Sequence, residues 1–420
     1  MEKMKPLSFV VFGATGDLSQ RKIMPALFSL YSQHKIPENS TFIAFSRRTW
    51  TDEEFRSFIK PSLVDKNNSE QAMNSFLERV VYIEGTFDTQ ESYERLKRKI
   101  VEVDALLDQP AQKIYHLAVQ PEFYERIVQG LGKAELNKSI SGESYVPRLI
   151  IEKPFGHDIN SAQLLEKIIS QFFSEDQTYR IDHYLGKAGV EEIFDTRKND
   201  PALELKLNNN NVSSIKVQLH ESIDIEGRGE FYDTIGAMRD VGQNHALEMI
   251  AIIAMDIPHD LHAMVRRREE ILKNLKRIDG SKISTQVVRG QYEGYTQEQD
   301  VHPQSKTETY FFIEFEIDTE RWAGVRFEIE GGKALGKKKS EIILTFKDGS
   351  EQIFNLEGSP LKQEVRDAYE ILVGKSIEGD KTFFVSIDEV LASWRFITPI
   401  IEQSKNFPLK IYKKGIYPLQ

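Results

Sequence analysis

The first strand signal constrains the fold of this chain more than any other feature. Ser8-Phe-Val-Val-Phe12 is an unbroken apolar run that ends on Gly13, and a helical pattern follows from about Gln20 to Ser32. A run without polar alternation reads as a strand covered on both faces, hence a parallel one. Similar runs recur at Thr41-Phe-Ile-Ala-Phe45, Lys113-Ile-Tyr-His-Leu-Ala-Val119 and Arg148-Leu-Ile-Ile-Glu152, with helical stretches between them. Strand, helix, strand at this spacing implies a doubly wound parallel sheet with crossover helices. Gly13-Ala-Thr-Gly16 then sits where such a fold takes a dinucleotide. Glycines there let the backbone approach a pyrophosphate at a helix N-terminus, whose free N–H groups and dipole favour an anion. The pattern is GxxGDL rather than GxGxxG.

The second half has another period. Ser214-Ile-Lys-Val-Gln-Leu-His220, Tyr310-Phe-Phe-Ile-Glu-Phe-Glu-Ile317, Val325-Arg-Phe-Glu-Ile329 and Glu341-Ile-Ile-Leu-Thr-Phe346 alternate apolar with polar. They predict a largely antiparallel sheet with one wet face, flanked by helices over about Asn244–Met255 and Ile387–Gln403. The expectation is a Rossmann-type α/β domain over residues 1–180 and an α+β domain over 181–420, in keeping with a chain of 420 residues.

The net charge of −10 makes the chain a poor nucleic-acid binder, so an anionic ligand needs a local basic pocket. No apolar run reaches membrane-spanning length, and the N-terminus lacks the pattern of a signal peptide. The absence of cysteine excludes disulfides, thiolate metal sites and cysteine nucleophiles. A cytoplasmic protein without membrane or nucleic-acid partners fits these features. The second strand ends Ser46-Arg47-Arg48, where an NAD site usually carries an acid for the ribose 2′-OH; an arginine suits a 2′-phosphate. With Thr15 as a further donor, NADP is favoured and NAD is the lesser cofactor.

Arg180-Ile-Asp-His-Tyr-Leu-Gly-Lys187 places a carboxylate, an imidazole, a phenol and an ammonium within one short stretch. It can hold a phosphate and still have a carboxylate left to orient a base. Together with Gly13-Ala-Thr-Gly-Asp-Leu18, Glu152-Lys-Pro-Phe-Gly156 and Asp240-Val-Gly-Gln-Asn-His245, in this order, it resembles the glucose-6-phosphate dehydrogenase family. Glu226-Gly-Arg-Gly229, Gly332-Lys-Ala-Leu335, Asp367-Ala-Tyr-Glu370 and Trp394-Arg-Phe-Ile-Thr-Pro399 extend the resemblance over nearly the whole chain.

The resemblance implies oxidation of glucose 6-phosphate at C1 to the 6-phosphoglucono-1,5-lactone, with hydride transfer to NADP, in the oxidative pentose phosphate pathway. It makes His245 the base, a task suited to histidine near neutrality, and Asp182 the carboxylate that fixes its tautomer. His183, Tyr184 and Lys187 would hold the 6-phosphate. Lys153 and Lys333 would reach sugar or phosphate oxygens, and Glu221 and Asp240 would accept from hydroxyls. Gly13, Thr15, Gly16, Asp17, Leu18, Arg47 and Lys153 would bind the cofactor, and Pro154 is expected to be cis. A homodimer or homotetramer is implied, formed through the outer face of the second sheet.

Taken singly, His245 reads as a cap or packing residue, and Lys333, close to Lys337-Lys-Lys339, as part of a solvated turn. His34, His116, His157, His220, His259, His262 and His302 read as surface or packing residues without metal spacing, so no metal is expected.

Three departures from the family stand out. Residues 188–200 lose the family's apolar helix face and gain Glu191 and Asp195, and Leu207-Asn208 replaces Trp-Asn. Gly242 replaces a larger apolar residue and would add room beside the base. The connection from Phe346 to Asp367 is short. These departures keep two alternatives open: the same chemistry on another hexose phosphate, such as an amino or deoxy sugar, or a non-catalytic sugar-phosphate-binding homologue.

Overall fold

The computed structural model describes residues 5–64, 69–139, 145–258, 260, 263–358 and 367–418. They form two compact units. One comprises Met1–Gly156, Gln163–Gly186 and Arg366–Ser386; the other comprises His157–Ala162, Lys187–Val365 and Ile387–Gln420. The first unit's main run therefore closes at Gly186 rather than at Arg180, and a late segment returns to it.

The first unit is built on six parallel strands: β1 (Leu7–Phe12), β2 (Thr41–Ser46), β3 (Val80–Glu84), β4 (Gln112–Leu117), β5 (Arg148–Glu152) and β6 (Thr178–Ile181). Their spatial order is β3-β2-β1-β4-β5-β6. This is the dinucleotide-binding order, with a topological switch between β1 and β4. β1, β2 and β4 are buried along their whole length, as their apolar runs require. Thr178–Ile181 and Val80–Glu84 were not among the expected strands; each is a short run completed by pairing on a neighbour.

The returning segment explains the motif Asp367-Ala-Tyr-Glu370. It opens the helix Ala368–Glu378 with the Asp367 side chain as N-cap. Lys22 donates to Asp367 at 2.7 Å, Ser29 to Glu370 at 2.8 Å, and the Tyr369 hydroxyl to the Glu152 carboxylate at 3.1 Å.

The second unit carries a seven-stranded sheet in the order β12-β11-β7-β10-β9-β8-β13. Its strands are β7 (Val212–His220), β8 (Val287–Tyr292), β9 (Tyr310–Phe315), β10 (Arg326–Gly332), β11 (Lys339–Phe346), β12 (Glu351–Asn355) and β13 (Lys410–Tyr412). β10 runs parallel to β7 and β13 parallel to β8; the other neighbours are antiparallel. Ile215, Val217, Leu219, Phe327 and Ile329 point to one side and are buried, and helices Met238–Ala246 and Ile387–Ser404 pack against strands of this sheet. The alternate positions carry Lys216, Gln218, Glu314, Glu328, Glu330 and Glu341. Glu330 is buried there and accepts from Gln218 at 2.8 Å, Tyr310 at 2.8 Å and Lys216 at 2.7 Å. Burial opposes its charge, but His220 and Lys216 outweigh that and hold its carboxyl well below the usual range.

Candidate active site

In the first unit the glycine-rich turn is shaped by backbone. The Gly13 and Ala14 N–H groups donate to the Phe45 carbonyl at 3.0 and 3.2 Å, and the Gly16 N–H to the Gly13 carbonyl at 2.8 Å. Gly13 has φ +77°, and a Cβ there would lie 2.6 Å from the Ala118 carbonyl oxygen just beyond β4. Only glycine fits this crossing of the β1 and β4 ends, which is the switch-point crevice. A π-helical turn, Ser19–Ile23, then leads into the helix Met24–Ser32.

Thr15 Oγ1 lies 2.8 Å from Ser46 Oγ, which ties the turn to the end of β2. Arg47 follows Ser46 and is exposed, with no hydrogen bond or ion pair among the described residues. Arg48 is occupied: its guanidinium lies 4.8 Å from the Trp50 ring centroid. Asp17 is exposed and pairs with Arg21 at 3.5 Å. Leu18 is half-buried.

β5 ends on Glu152, and the Lys153–Pro154 peptide bond is cis, as expected. Glu152 is buried, and three side chains grip it. His116 Nε2 lies 2.9 Å from Oε1, Tyr369 donates to Oε2, and Tyr124 donates to its backbone carbonyl at 2.7 Å. Burial and then the Glu152 charge push the Tyr369 phenol far above its ordinary value. This grip fixes the backbone from which the half-buried Lys153 projects. His116 is thus a hydrogen-bonding partner of Glu152 rather than a mere packing residue. His116 pairs with Ile150, two residues before Glu152 and on the same side of the sheet, a register that the sequence does not display.

Arg180, on β6, is buried and bound by Glu175 at 2.8 Å and Glu166 at 2.6 Å, so it anchors the motif. Next, Asp182 is buried, with Oδ1 accepting from the Tyr184 N–H at 2.9 Å. His183 and Tyr184 are half-buried with ring centroids 5.1 Å apart.

In the second unit, β7 and β10 end in register, His220 opposite Gly332. The next residues out, Glu221 and Lys333, form an ion pair at 2.7 Å. Lys333 is only 3% exposed, so it does not belong to a solvated lysine turn. Its ammonium also stands 5.4 Å from the Tyr232 ring centroid. Tyr232 went unnoticed in the sequence. Its hydroxyl is buried with no hydrogen-bond partner among the described residues. Burial, then the charges of Asp240, Glu308 and Glu221, push its phenol well above the ordinary value. A donor held among carboxylates suits a ligand rich in hydroxyls.

Asp240 and His245 both lie on the π-helix Met238–Ala246, which continues as the helix Leu247–Ala254. The helix therefore begins earlier than the expected Asn244. Single-turn π geometry inside helices is common at functional sites. His245 is buried at 2% exposure, and its backbone N–H donates to Asn244 Oδ1 at 2.6 Å. Gly242 adds no room: a Cβ there would meet the Phe311 ring at 3.1 Å, because the phenylalanine fills that space.

Lys187 stands at the N-cap position of the helix Ala188–Asn199 without a side-chain cap bond, and its ammonium donates to Glu357 at 2.8 Å and to the Ser340 hydroxyl at 3.3 Å. This helix corrects a further expectation, since its apolar face is not lost. Val190, Ile193 and Phe194 are buried, together with Arg197. Arg197 pairs with Glu204 at 2.8 Å and donates to the carbonyls of Ile252, Ile253 and Met255. Glu191 and Asp195 fall on the other side, half-buried and exposed.

Among the remaining histidines, His34, His157 and His302 are exposed, and His220 is buried 3.4 Å from Glu330. His259 and His262 lie outside the described residues.

A Rossmann-ordered sheet with a shaped glycine turn, joined in one chain to a mixed sheet whose strand ends carry an ion pair, is the architecture of a two-part dinucleotide-binding protein. Comparison with known proteins names the family. The profile described as "Glucose-6-phosphate dehydrogenase, NAD binding domain" matches residues 10–192, and "Glucose-6-phosphate dehydrogenase, C-terminal domain" matches 195–364 and 356–417. The chain is 33% identical to the glucose-6-phosphate 1-dehydrogenase of Borreliella burgdorferi, over 97% of this chain and 94% of that one. It is also 33% identical to the enzyme of that name from Helicobacter pylori, over 97% of this chain and 96% of the relative. A solved structure titled "Glucose-6-phosphate dehydrogenase in complex with its substrate glucose-6-phosphate" superposes with TM-score 0.90 at 31% identity, over 99% of this chain and 96% of that one. The chain belongs to the glucose-6-phosphate dehydrogenase family.

Proposed function

We propose that this protein oxidises D-glucose 6-phosphate at C1 to 6-phosphoglucono-1,5-lactone and reduces NADP, the entry step of the oxidative pentose phosphate pathway. The observation that carries the reading is the match, over almost the entire chain, to a structure solved with glucose 6-phosphate as its substrate. His245 takes the proton from the C1 hydroxyl, and Asp182 is the carboxylate that sets its tautomer and stabilises the imidazolium. His183, Tyr184 and Lys187 bind the phosphate; Lys153, Lys333, Glu221 and Asp240 hold the sugar. The packed face of the helix Ala188–Asn199 favours the ordinary substrate over an amino or deoxy sugar. Retention of the base speaks against a merely binding homologue.

The residues present fit a 2′-phosphorylated dinucleotide. Gly13 leaves a place that a Cβ would fill, and Arg47 offers an unengaged guanidinium after β2, where NAD-specific sites place an acid. Gly13, Thr15, Gly16, Asp17, Leu18 and Lys153 complete the cofactor's contacts. When bound, NADP supplies the acceptor for the hydride from C1. The nucleotide role falls to about residues 1–180, and the sugar and subunit roles to 181–420. We place the protein in the cytoplasm as a homodimer or homotetramer joined through the polar face of the seven-stranded sheet. No helix among the described residues is long and apolar enough to cross a membrane.

Initial rates with a panel of hexose phosphates and both cofactors test the proposal. Glucose 6-phosphate with NADP should give the highest kcat/KM, and free glucose should be poor because phosphate binding contributes to the rate at C1. Equal rates on glucose and its 6-phosphate would refute the phosphate residues, and a preference for NAD would refute the role of Arg47.

A further inference from the structure

Two of the departures noted in the sequence, the altered stretch after Lys187 and the short connection after Phe346, meet in one place. The connection forms β12 and turns at residues 355–358 against the start of the helix Ala188–Asn199. Gly189 donates its N–H to the Leu356 carbonyl at 3.2 Å. A Cβ on Gly189 would lie 2.1 Å from the Asn355 carbonyl oxygen and 2.5 Å from the Leu356 Cα, so the turn can sit there only because residue 189 is glycine. The turn is closed by Asn355 Oδ1, which accepts from the Glu357 N–H at 2.9 Å, and by Gly358 at φ +87°.

Seated in this way, the turn delivers one carboxylate oxygen, Glu357 Oε1, to two ammonium groups: Lys187 at 2.8 Å and Lys338 at 3.1 Å. Ser340 adds a hydroxyl 3.3 Å from the Lys187 ammonium. Two ammonium groups on one anionic oxygen is a phosphate-binding arrangement in miniature. Burial works against the Glu357 charge. Hydrogen bonds and charge from Lys187 and Lys338 outweigh it and keep the carboxyl below its usual range, so it stays ionised at neutral pH. The Lys187 side chain is 13% exposed and that of Glu357 is 44% exposed, so the carboxylate has an open path outward.

We infer that Glu357 is an internal stand-in for the substrate phosphate: in the unliganded enzyme it neutralises Lys187 and Lys338, and the 6-phosphate must displace it to bind. A monoester dianion brings two charges to two lysines where the carboxylate brings one, so the substrate wins, though with part of its binding energy spent on the exchange. Glu357 thereby sets the affinity for phosphorylated sugars without touching the reacting carbon. The inference rests on the reading of Lys187 as a phosphate ligand.

The test is a double-mutant cycle on the full-length enzyme. Glu357→Gln should lower KM for glucose 6-phosphate roughly three- to tenfold, less than a full charge-assisted hydrogen bond because the Glu357 carboxylate is half exposed and screened by solvent. The KM for NADP should be unaffected and kcat should change little. Inorganic phosphate, as a competitive inhibitor, should bind more tightly by the same factor. In a Lys187→Ala background, both gains should disappear. Glu357→Ser, with thermal melting of each variant, guards against misreading a folding defect.

A raised KM in Glu357→Gln would make the residue a support for Lys187 and overturn the inference, and so would an unchanged KM. A gain that persists without Lys187 would reduce it to a general charge effect and overturn it too. Lys187→Ala alone tests the underlying reading: if its KM for the sugar phosphate is normal, Lys187 is no phosphate ligand, whatever Glu357 does.

Discussion

The turn after β1 and the paired ends of β7 and β10 solve similar problems with different materials. Around Gly13 the shape is made by backbone: the Gly13 and Ala14 N–H groups are tied to the Phe45 carbonyl, and the close approach to Ala118 leaves no room for a Cβ. The side chains there are small or point outward. At Glu221 and Lys333 the backbone only sets the register, and the site is a side-chain ion pair between a buried lysine and a half-buried glutamate. A backbone site tolerates exchange of most side chains but no added Cβ at its crossing point. A side-chain site tolerates backbone adjustment but no loss of one charge from a pair. The first can therefore be read from glycine positions. The second can be recognised only when two distant residues are known to be strand neighbours.

Four substitutions sharpen this contrast, in descending order of effect. His245→Asn, on the side-chain side, should lower kcat about 10²–10⁴-fold while KM for glucose 6-phosphate stays similar, because only the base is lost. Stopped-flow or steady-state turnover measures this, and near-normal turnover would remove His245 from the mechanism. Arg47→Ala should weaken NADP by about 1.5–3 kcal/mol, the worth of a charge-assisted hydrogen bond, and leave NAD almost untouched; fluorescence titration with both cofactors checks it. Gly13→Ala should cost about 1–3 kcal/mol of stability, since alanine must adopt φ +77° against the Ala118 carbonyl. It should also impair both cofactors alike, which denaturant titration and cofactor binding would reveal. The smallest effect belongs to Arg48→Ala. Its guanidinium rests on Trp50, so the loss should be about 0.5–1 kcal/mol of stability with the NADP/NAD ratio unchanged. A large fall in that ratio would exchange the roles of the two arginines.

How far the fold was legible depended on burial. β1, β2, β4 and β5 announced themselves because a strand covered on both faces must be apolar throughout, and β7, β9, β10 and β11 because one covered face imposes period two. β3, β6, β12 and β13 are short, and their sequences decide little. They are strands because a neighbouring edge offers hydrogen bonds. The helix Ala188–Asn199 misled for a related reason. Its inward face is completed by Arg197, which counts as polar in any pattern but is buried here by Glu204 and three backbone carbonyls. Gly242 likewise suggested space that Phe311, remote in sequence, occupies.

The sequence by itself determined which residues are proposed to carry the chemistry. The glycine turn, the arginine after β2 and the runs around Lys153, Asp182 and His245 are local, and local spacing is what a chain displays directly. It could not display who neutralises whom. That Glu152 is held by His116 and Tyr369, that Lys333 meets Glu221 beside Tyr232, and that Glu357 reaches Lys187 are facts of strand register and of a turn seated on Gly189. Charges separated by tens or hundreds of residues become partners only when sheet pairing and packing bring them within a few ångströms. At that range their interaction is strong and their burial without each other is costly.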